Sequence, residues 1–523
     1  MDYILSFVLL GWSVIILKPL FRSWKSMTNV PTSMPWPGIR NEIFPNFRAC
    51  LREFIAGVQT LRIGYENYAR KGQAFVLPDP GLRPQIMVPI EHLRWMVDQP
   101  ETVLCARLPQ AGRFAIDYLS PGMDYNHDLF LMDVIRKDLT RNLGRLQPSI
   151  YHDIRESIDE LMGFETDGWR EVCLWDTMQK TIFKSTYRVF VGLPLCQDEG
   201  YLRSSAAFAN WLGVGAVLVG QYTPSIFKPL LGYLTAIPIY IEQTKSFGYL
   251  LPVFKERMEN IRRMRNDPTF EFKEPKHMIT WMSTAQIRST RIKHTVFYPG
   301  SHSYNHHDSN KHIPRSSELW PREEASTTFG EEGDWVDPAA LGKLAYADSA
   351  IRETLRKNPA VTRTSVREVV RKGGLDLPDG QHVPQGAWLA APVMGIHHDE
   401  RFYPDPEKYE PFRFAEAAKE TSSNGETDDT QTEKASQHRK LQGLSMASDS
   451  FLAFGYGRHS CPGRWFVAHQ LKLLLAYVAL NYDVQPLENR PLNHIFGESI
   501  IPTQSTTISV RRRKGVGKLE TTS

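Results

Sequence analysis

Cysteine is scarce in this chain: five in 523 residues, at Cys50, Cys105, Cys173, Cys196 and Cys461, with no CxxC pair. That excludes a disulfide scaffold and argues against a structural zinc site. A reducing compartment is the simpler reading. Excess charge is lacking too. Sixty-two Lys and Arg stand against 58 Asp and Glu, a net +4, too even for the field that draws nucleic acid, so no nucleic-acid partner is expected. Internal repeats are absent. Long apolar runs are confined to the N-terminus and one interrupted stretch, which excludes a many-span membrane protein. What remains is ordinary: 41% hydrophobic and 23% charged residues fit a globular chain, neither disordered nor collagen-like.

Residues Tyr3 to Leu17 are apolar apart from Ser6 and Ser13. With the following residues to Phe21 they approach the roughly 20 residues that span a bilayer. Asp2 and the lack of an early Lys or Arg argue against a cleaved signal peptide. The expectation is a transmembrane anchor over residues 1–21. Lys18, Arg22 and Lys25 follow it, which keeps the body cytosolic by the positive-inside rule. Residues 22–40, with Pro31, Pro35 and Pro37, read as a stiff proline-rich linker, and 41–523 as the body.

Apolar spacing in the body predicts helices from about Asn41 to Thr290, for instance at Leu129, Met132, Ile135, Leu139 and Leu143. Phe75–Leu77 and Ile86–Pro89 suggest a small sheet. The stretch Trp211–Ile241 is apolar, but Pro224, Pro229 and Pro238 interrupt it. It is read as buried or membrane-surface helices rather than a second span. A helix follows Gly333 through Asn358, then strands and turns from Val361 to Ala391. Residues 417–449 are polar and Ser/Thr-rich, as in an exposed insertion.

The chemistry concentrates at Phe454-Gly455-Tyr456-Gly457-Arg458-His459-Ser460-Cys461-Pro462-Gly463. Three glycines around one cysteine permit tight turns with unusual dihedrals and a close approach of backbone to a flat ligand. Backbone N–H groups aimed at sulfur stabilise a thiolate and tune a bound metal. Phe454 can shield the sulfur. A helix with Leu471, Leu474 and Leu475 facing inward follows. An inert buried cysteine is the bland alternative.

This string resembles the haem-binding signature of cytochromes P450, with His459 in the Arg/His place. Two further motifs stand upstream in the family's order. Glu353 and Arg356 resemble its Glu-x-x-Arg pair, on one helix face. Arg413 resembles the arginine of its Pro-Glu-Arg-Phe element, with Phe412 replacing the glutamate. The resemblance implies a mainly α fold with small β-sheets behind an N-terminal anchor, closest in texture to fungal microsomal members of secondary metabolism. It implies haem b, its iron ligated axially by Cys461. Phe454, Gly457, His459 and Gly463 would shape the cofactor loop, and Glu353, Arg356 and Arg413 would form a structural lock. Arg367 is placed at a haem propionate, and Arg136, in a stretch like the family's C-helix, is read as another propionate partner. His397 and His398 suggest metal ligands when read alone, but no third ligand is apparent. A thiolate ligand favours O–O cleavage, so the implied activity is monooxygenation of a lipophilic terpenoid or meroterpenoid scaffold. Electrons would come from NADPH-cytochrome P450 reductase, at the endoplasmic reticulum membrane.

One region departs from the resemblance. Between Met282 and Arg322 the family carries a long helix over the haem, with threonines that relay protons to oxygen. Here Pro299, Pro314, a histidine-rich tract (His302, His306, His307, His312) and no apolar period stand instead. No catalytic residue of the oxygen-side wall is identifiable. A histidine metal site and a solvated loop are two readings. A third explains more. Suitable codons for Pro299–Pro321, read one base later, encode Leu-Ala-Ala-Ile-His-Thr-Thr-Thr and a further apolar helix, which resembles the missing element and points to a frame error. Two other functions stay open: a haem-binding relic that cannot activate oxygen, and a P450-fold isomerase or dehydratase.

Overall fold

The computed structural model describes residues 29–120, 130–267, 269–270, 275–288, 315–417 and 443–514. The expected anchor, the histidine-rich stretch and most of the expected insertion lie outside the described residues.

Helices dominate, as expected, and among the described residues begin with α1 (Pro45–Asn67), whose proline sits in the first turn where its missing N–H costs nothing. Strands β1 (Phe75–Leu77) and β2 (Gln85–Met87) follow, then α2 (Ile90–Asp98), β3 (Leu104–Cys105) and α3 (Arg107–Arg113). The helix α4 (Phe130–Val134) runs through a π-helical turn, Ile135–Leu139, into α5 (Thr140–Met162). Next come β4 (Arg170–Cys173), α6 (Leu174–Phe190) and α7 (Glu199–Gly215). Asp198 caps α7, accepting from the Tyr201 N–H at 2.7 Å.

The apolar stretch Trp211–Ile241 divides into two helices. The first is α7 with its π-helical end, Ala216–Tyr222; Glu199–Tyr222 is long and apolar enough to cross a membrane by length and composition. A break containing Pro224 follows, and α8 (Lys228–Asn266) begins with Pro229 in its first turn. Pro238 does not break the chain as expected: it lies inside the 39-residue α8, as does Pro252. An interior proline costs about 3 kcal/mol. Packing of α8 on α7 and the preceding segments offsets it: Ile239 is fully buried, Gly232 abuts Tyr118, and Ser205 and Ser246 hydroxyls meet at 3.2 Å.

Two helices flank the stretch that departs from the family pattern, α9 (Met278–Arg288) and α10 (Arg315–Thr328); residues 289–314 between them lie outside the described residues. They are followed by α11 (Ala345–Lys357), β5 (Thr364–Val369), the hairpin β6 (Leu375–Asp376) and β7 (His382–Val383), and β8 (Trp388–Ala391). After the cysteine loop come α12 (Arg464–Asn481), β9 (Tyr482–Val484), β10 (His494–Phe496), β11 (Ser499–Ile501) and β12 (Thr507–Arg512).

One five-stranded sheet has the order β1-β2-β8-β5-β3, parallel only between β2 and β8. A three-stranded sheet, β4-β12-β9, joins the middle of the chain to its end. Two cores result. The larger gathers α5, α6, α9 and α12 around residues such as Ile150, Ile182, Met278 and Leu473. The smaller packs α1 and α2 on the five-stranded sheet. Part of the proline-rich segment joins this second core: Val30 and Met34 are buried, and Val76 N–H donates to Pro35 O at 2.9 Å. At the other end, Leu444 is buried beside Ile351 and Val467, so the stretch after residue 442 is packed rather than exposed.

Candidate functional site

The cysteine loop is shaped by its backbone. Gly455 (φ +73°) and Gly457 (φ +72°) take left-handed conformations that a side chain would oppose. Gly463 differs from the expectation. Its φ of −86° is ordinary; it caps α12. The Cys461 N–H donates to Phe454 O at 2.7 Å and Ser460 N–H to Gly457 O at 3.1 Å, which closes the loop on itself. Phe454 packs against the apolar cluster that includes Ile351, Val467 and Leu471.

Cys461 sits at the start of α12. Burial pushes its thiol up, while the N–H groups of Gly463 and Arg464 and the Arg464 charge oppose that rise. These are the groups that stabilise a thiolate. Arg464 is itself tied down, donating to Cys461 O and Ser445 O, both at 2.9 Å.

The lock has the geometry its motif implies. Arg356 is fully buried and forks onto Glu353, Nε to Oε2 and Nη2 to Oε1, both at 2.7 Å. Its remaining N–H groups reach His397 O at 2.6 Å and Pro406 O at 3.0 Å. Arg413 Nε donates to Glu353 Oε1 at 3.3 Å and Nη1 to Pro404 O at 2.6 Å. A buried ion pair is stable only when its other bonds are met, and here they are.

The lock reaches the cysteine loop through His397, whose role sequence reasoning missed. Its Nδ1 donates to Arg356 O at 3.1 Å, and its Nε2 accepts the Leu452 N–H at 2.8 Å. Burial, ahead of the His398, Arg356 and Arg352 charges, pushes its pKa well below the usual range. The ring is therefore neutral, and both nitrogens are used. His397 is a bridge, not a metal ligand. His398 Nδ1 lies 2.9 Å from Met394 O.

Arg367 is buried, with Nη1 on Val366 O at 3.0 Å and no partner for Nη2 among the described residues. Burial lowers it to about 10, although Glu101 and Cys105 pull the other way. A buried guanidinium with an unmet N–H calls for an anion. Arg136 donates to Arg458 O at 2.9 Å. His459 Nε2 is 2.6 Å from Glu101 Oε1. No local signal in the sequence pairs these two. The fold thus brings Cys461, Phe454, Gly457, His459, Gly463 and Arg136 together. Haem fits these residues: a soft sulfur ligand at a helix start and an unmet buried cation suit its iron and its propionates.

Comparison with known proteins agrees. The cytochrome P450 family profile matches residues 321–511. The chain is 35% identical to the cytochrome P450 monooxygenase polB of Polytolypa hystricis over 92% of this chain and 94% of that protein. It is 36% identical to the cytochrome P450 monooxygenase nodZ of Hypoxylon pulicicidum, over 87% of each chain. For lnaC of Aspergillus flavus, also a cytochrome P450 monooxygenase, identity is 34% over 96% of this chain and 95% of the relative. With its cysteine loop, its buried Glu353–Arg356–Arg413 cluster and this similarity over nearly its whole length, the chain belongs to the cytochrome P450 family of haem enzymes.

Proposed function

We propose that this enzyme is a haem-thiolate monooxygenase acting on a lipophilic scaffold of terpenoid or meroterpenoid type. One observation carries the reading: a cysteine at a helix start, on a left-handed glycine loop, receives two backbone N–H groups, while buried Arg367, which feels the charge of Arg458 in that loop, keeps an N–H without a partner among the described residues. Bound haem supplies the oxygen chemistry, and a cysteinate ligand favours O–O cleavage. The chain's own residues do the rest. Gly463 and Arg464 N–H groups hold negative charge on the Cys461 sulfur. Arg367 offers Nη2 to a propionate, with Arg136 as a second cation. Glu353, Arg356 and Arg413 keep the loop in place through His397.

Membrane attachment is supported by an exposed apolar belt. It includes Ile43 and Phe44 just before α1, Phe54 and Ile55 on α1, Leu492 and Phe496 at the β10–β11 hairpin, and Leu230, Leu234, Ile237 and Tyr240 on α8. Phe54 stacks on Tyr222 at 5.1 Å, and Lys228 Nζ donates to Gly220 O at 2.8 Å, so these segments adjoin. Patches of this extent mark an interaction surface. We assign it to the endoplasmic reticulum membrane, beside an anchor at residues 1–21. The exposed cations Lys137, Arg141 and Arg458 form the face offered to NADPH-cytochrome P450 reductase.

The full chain, purified with haem, is expected to give the thiolate-type Soret band of its ferrous carbon monoxide complex. Cys461→Ser is expected to abolish it. Bound haem without that band in the parent sinks the assignment. A relic that binds haem without activating oxygen is favoured by the residues between Met282 and Arg322. The frame reading opposes it, and the family match beginning at residue 321 supports the frame reading. Sequencing the transcript across that stretch separates the two: the Ala-Ala-Ile-His-Thr-Thr frame supports an active monooxygenase, and the residues as they stand support the relic.

A further inference from the structure

Three successive residues of the cysteine loop are held by one short piece of chain more than 350 residues earlier. Val97 ends α2 against Gly457: a Cβ on that glycine would lie 2.8 Å from the Val97 Cβ. Gln99 O accepts from Arg458 Nη2 at 2.8 Å. Glu101 Oε1 meets His459 Nε2 at 2.6 Å, with both side chains a quarter exposed. Glu101 is itself seated firmly. The Ala106 N–H reaches its two oxygens at 3.3 and 3.4 Å, and Arg107 Nε lies 3.5 Å away. Burial works against its charge, but hydrogen bonds from His459 and Cys105 hold the carboxyl down at about 2. It is a fixed, charged acceptor throughout the ordinary pH range.

The loop needs such support. Its two left-handed glycines widen the range of conformations open to it when it is not held, and few backbone bonds close it. The contacts at Gly457 and Arg458 use backbone proximity and a carbonyl. The contact at His459 is the one made by two charge-capable side chains, and such bonds are roughly twice as strong as neutral ones.

We propose that Glu101 is a positioning residue that acts through His459 to hold the Cys461 loop in its ligand-presenting form before the cofactor arrives. The inference rests on Cys461 being the haem ligand.

The test uses the haem-free full chain and the rate of iodoacetamide alkylation at each cysteine, read by peptide mass spectrometry. Cys50 and Cys196, both buried and remote in sequence from the loop, are internal references. Glu101→Gln is expected to speed alkylation of Cys461 about tenfold, the loss of one charge-assisted bond, with the references unchanged. His459→Ala is expected to do the same, and the double variant no more than either. An unchanged Cys461 rate, an equal rise at Cys50, or additive effects in the double variant would overturn the proposal. With haem added, Glu101→Gln is expected to lower the fraction of thiolate-type carbon monoxide complex, and its full retention would also overturn the proposal. Alkylation is read without haem. A parent that takes up no haem therefore counts against the proposed function and leaves the alkylation result readable.

Discussion

Two clusters of buried charge hold this molecule together, and they are built differently. The first joins Glu353, Arg356 and Arg413. The second surrounds Arg363, which is buried between Asp79 and Glu498: its Nη2 bonds Asp79 Oδ2, and its Nε reaches Glu498 Oε2 at 3.1 Å. Arg113 also donates to Glu498, with Nε at 2.5 Å. Both clusters meet the cost of burying charge by pairing it. In the first, however, the arginines also satisfy main-chain carbonyls at His397, Pro404 and Pro406, so the cluster fixes the course of loops. In the second, the Arg363 bonds run to carboxylates. One cluster organises backbone; the other mainly balances charge.

That contrast can be broken experimentally. The largest effect is expected at the first cluster. Glu353→Ala leaves Arg356 buried and unpaired, at a cost of about 3–5 kcal/mol, with loss of the Cys461 spectral band; denaturant unfolding and the carbon monoxide spectrum check both. Arg363→Ala should cost about as much alone, since it leaves Asp79 and Glu498 unpaired. The combined Asp79→Asn, Arg363→Met, Glu498→Gln variant should regain most of that loss. The matching neutral replacement of Glu353, Arg356 and Arg413 should not, because three carbonyls lose their donors. Equal recovery in both would erase the distinction.

A smaller effect is expected at the bridge. His397→Leu removes the acceptor of the Leu452 N–H, at about 1–3 kcal/mol. Because the folded ring resists protonation, its contribution is present above the unfolded histidine pKa and is lost as pH falls below about 6.5. The variant should therefore lose stability less steeply than the parent between neutral pH and pH 5 in thermal melts.

Glu53, beside the second cluster, gives the opposite sign. Burial, ahead of its other contacts, raises its carboxyl to about 7 from 4.5. Its contribution is full below the unfolded pKa and is lost as pH rises through about 7, up to about 3 kcal/mol. Glu53→Gln should flatten the loss of thermal stability between about pH 4.5 and pH 7. An unchanged slope would show that the burial is relieved by water.

Legibility follows the distance over which a contact acts. Glu353 and Arg356 lie one helical turn apart, and the cysteine loop is ten consecutive residues, so both could be read along the chain. The sheet strands near Phe75 and Ile86 and the helix ending near Lys357 were legible for the same reason: local periodicity encodes them. Pro238 misled because helix propensity is weaker than the packing of α8 on α7. Three glycines around one cysteine suggest unusual dihedrals, but the place of Gly463 at the cap of α12 asks for none. Arg363, Asp79 and Glu498 gave no local sign of each other, being separated by 284 and 135 residues.

By itself, then, the sequence determined the glycine-rich loop around Cys461, the Glu353–Arg356 pair and the helical character of the body, because each rests on neighbours along the chain. Only the tertiary structure decided that His397 links that pair to the loop, that Glu101 meets His459, and that Arg367 is left with an unmet N–H. Those contacts join segments far apart in sequence, and burial, which makes each of them matter energetically, exists only once the chain has packed.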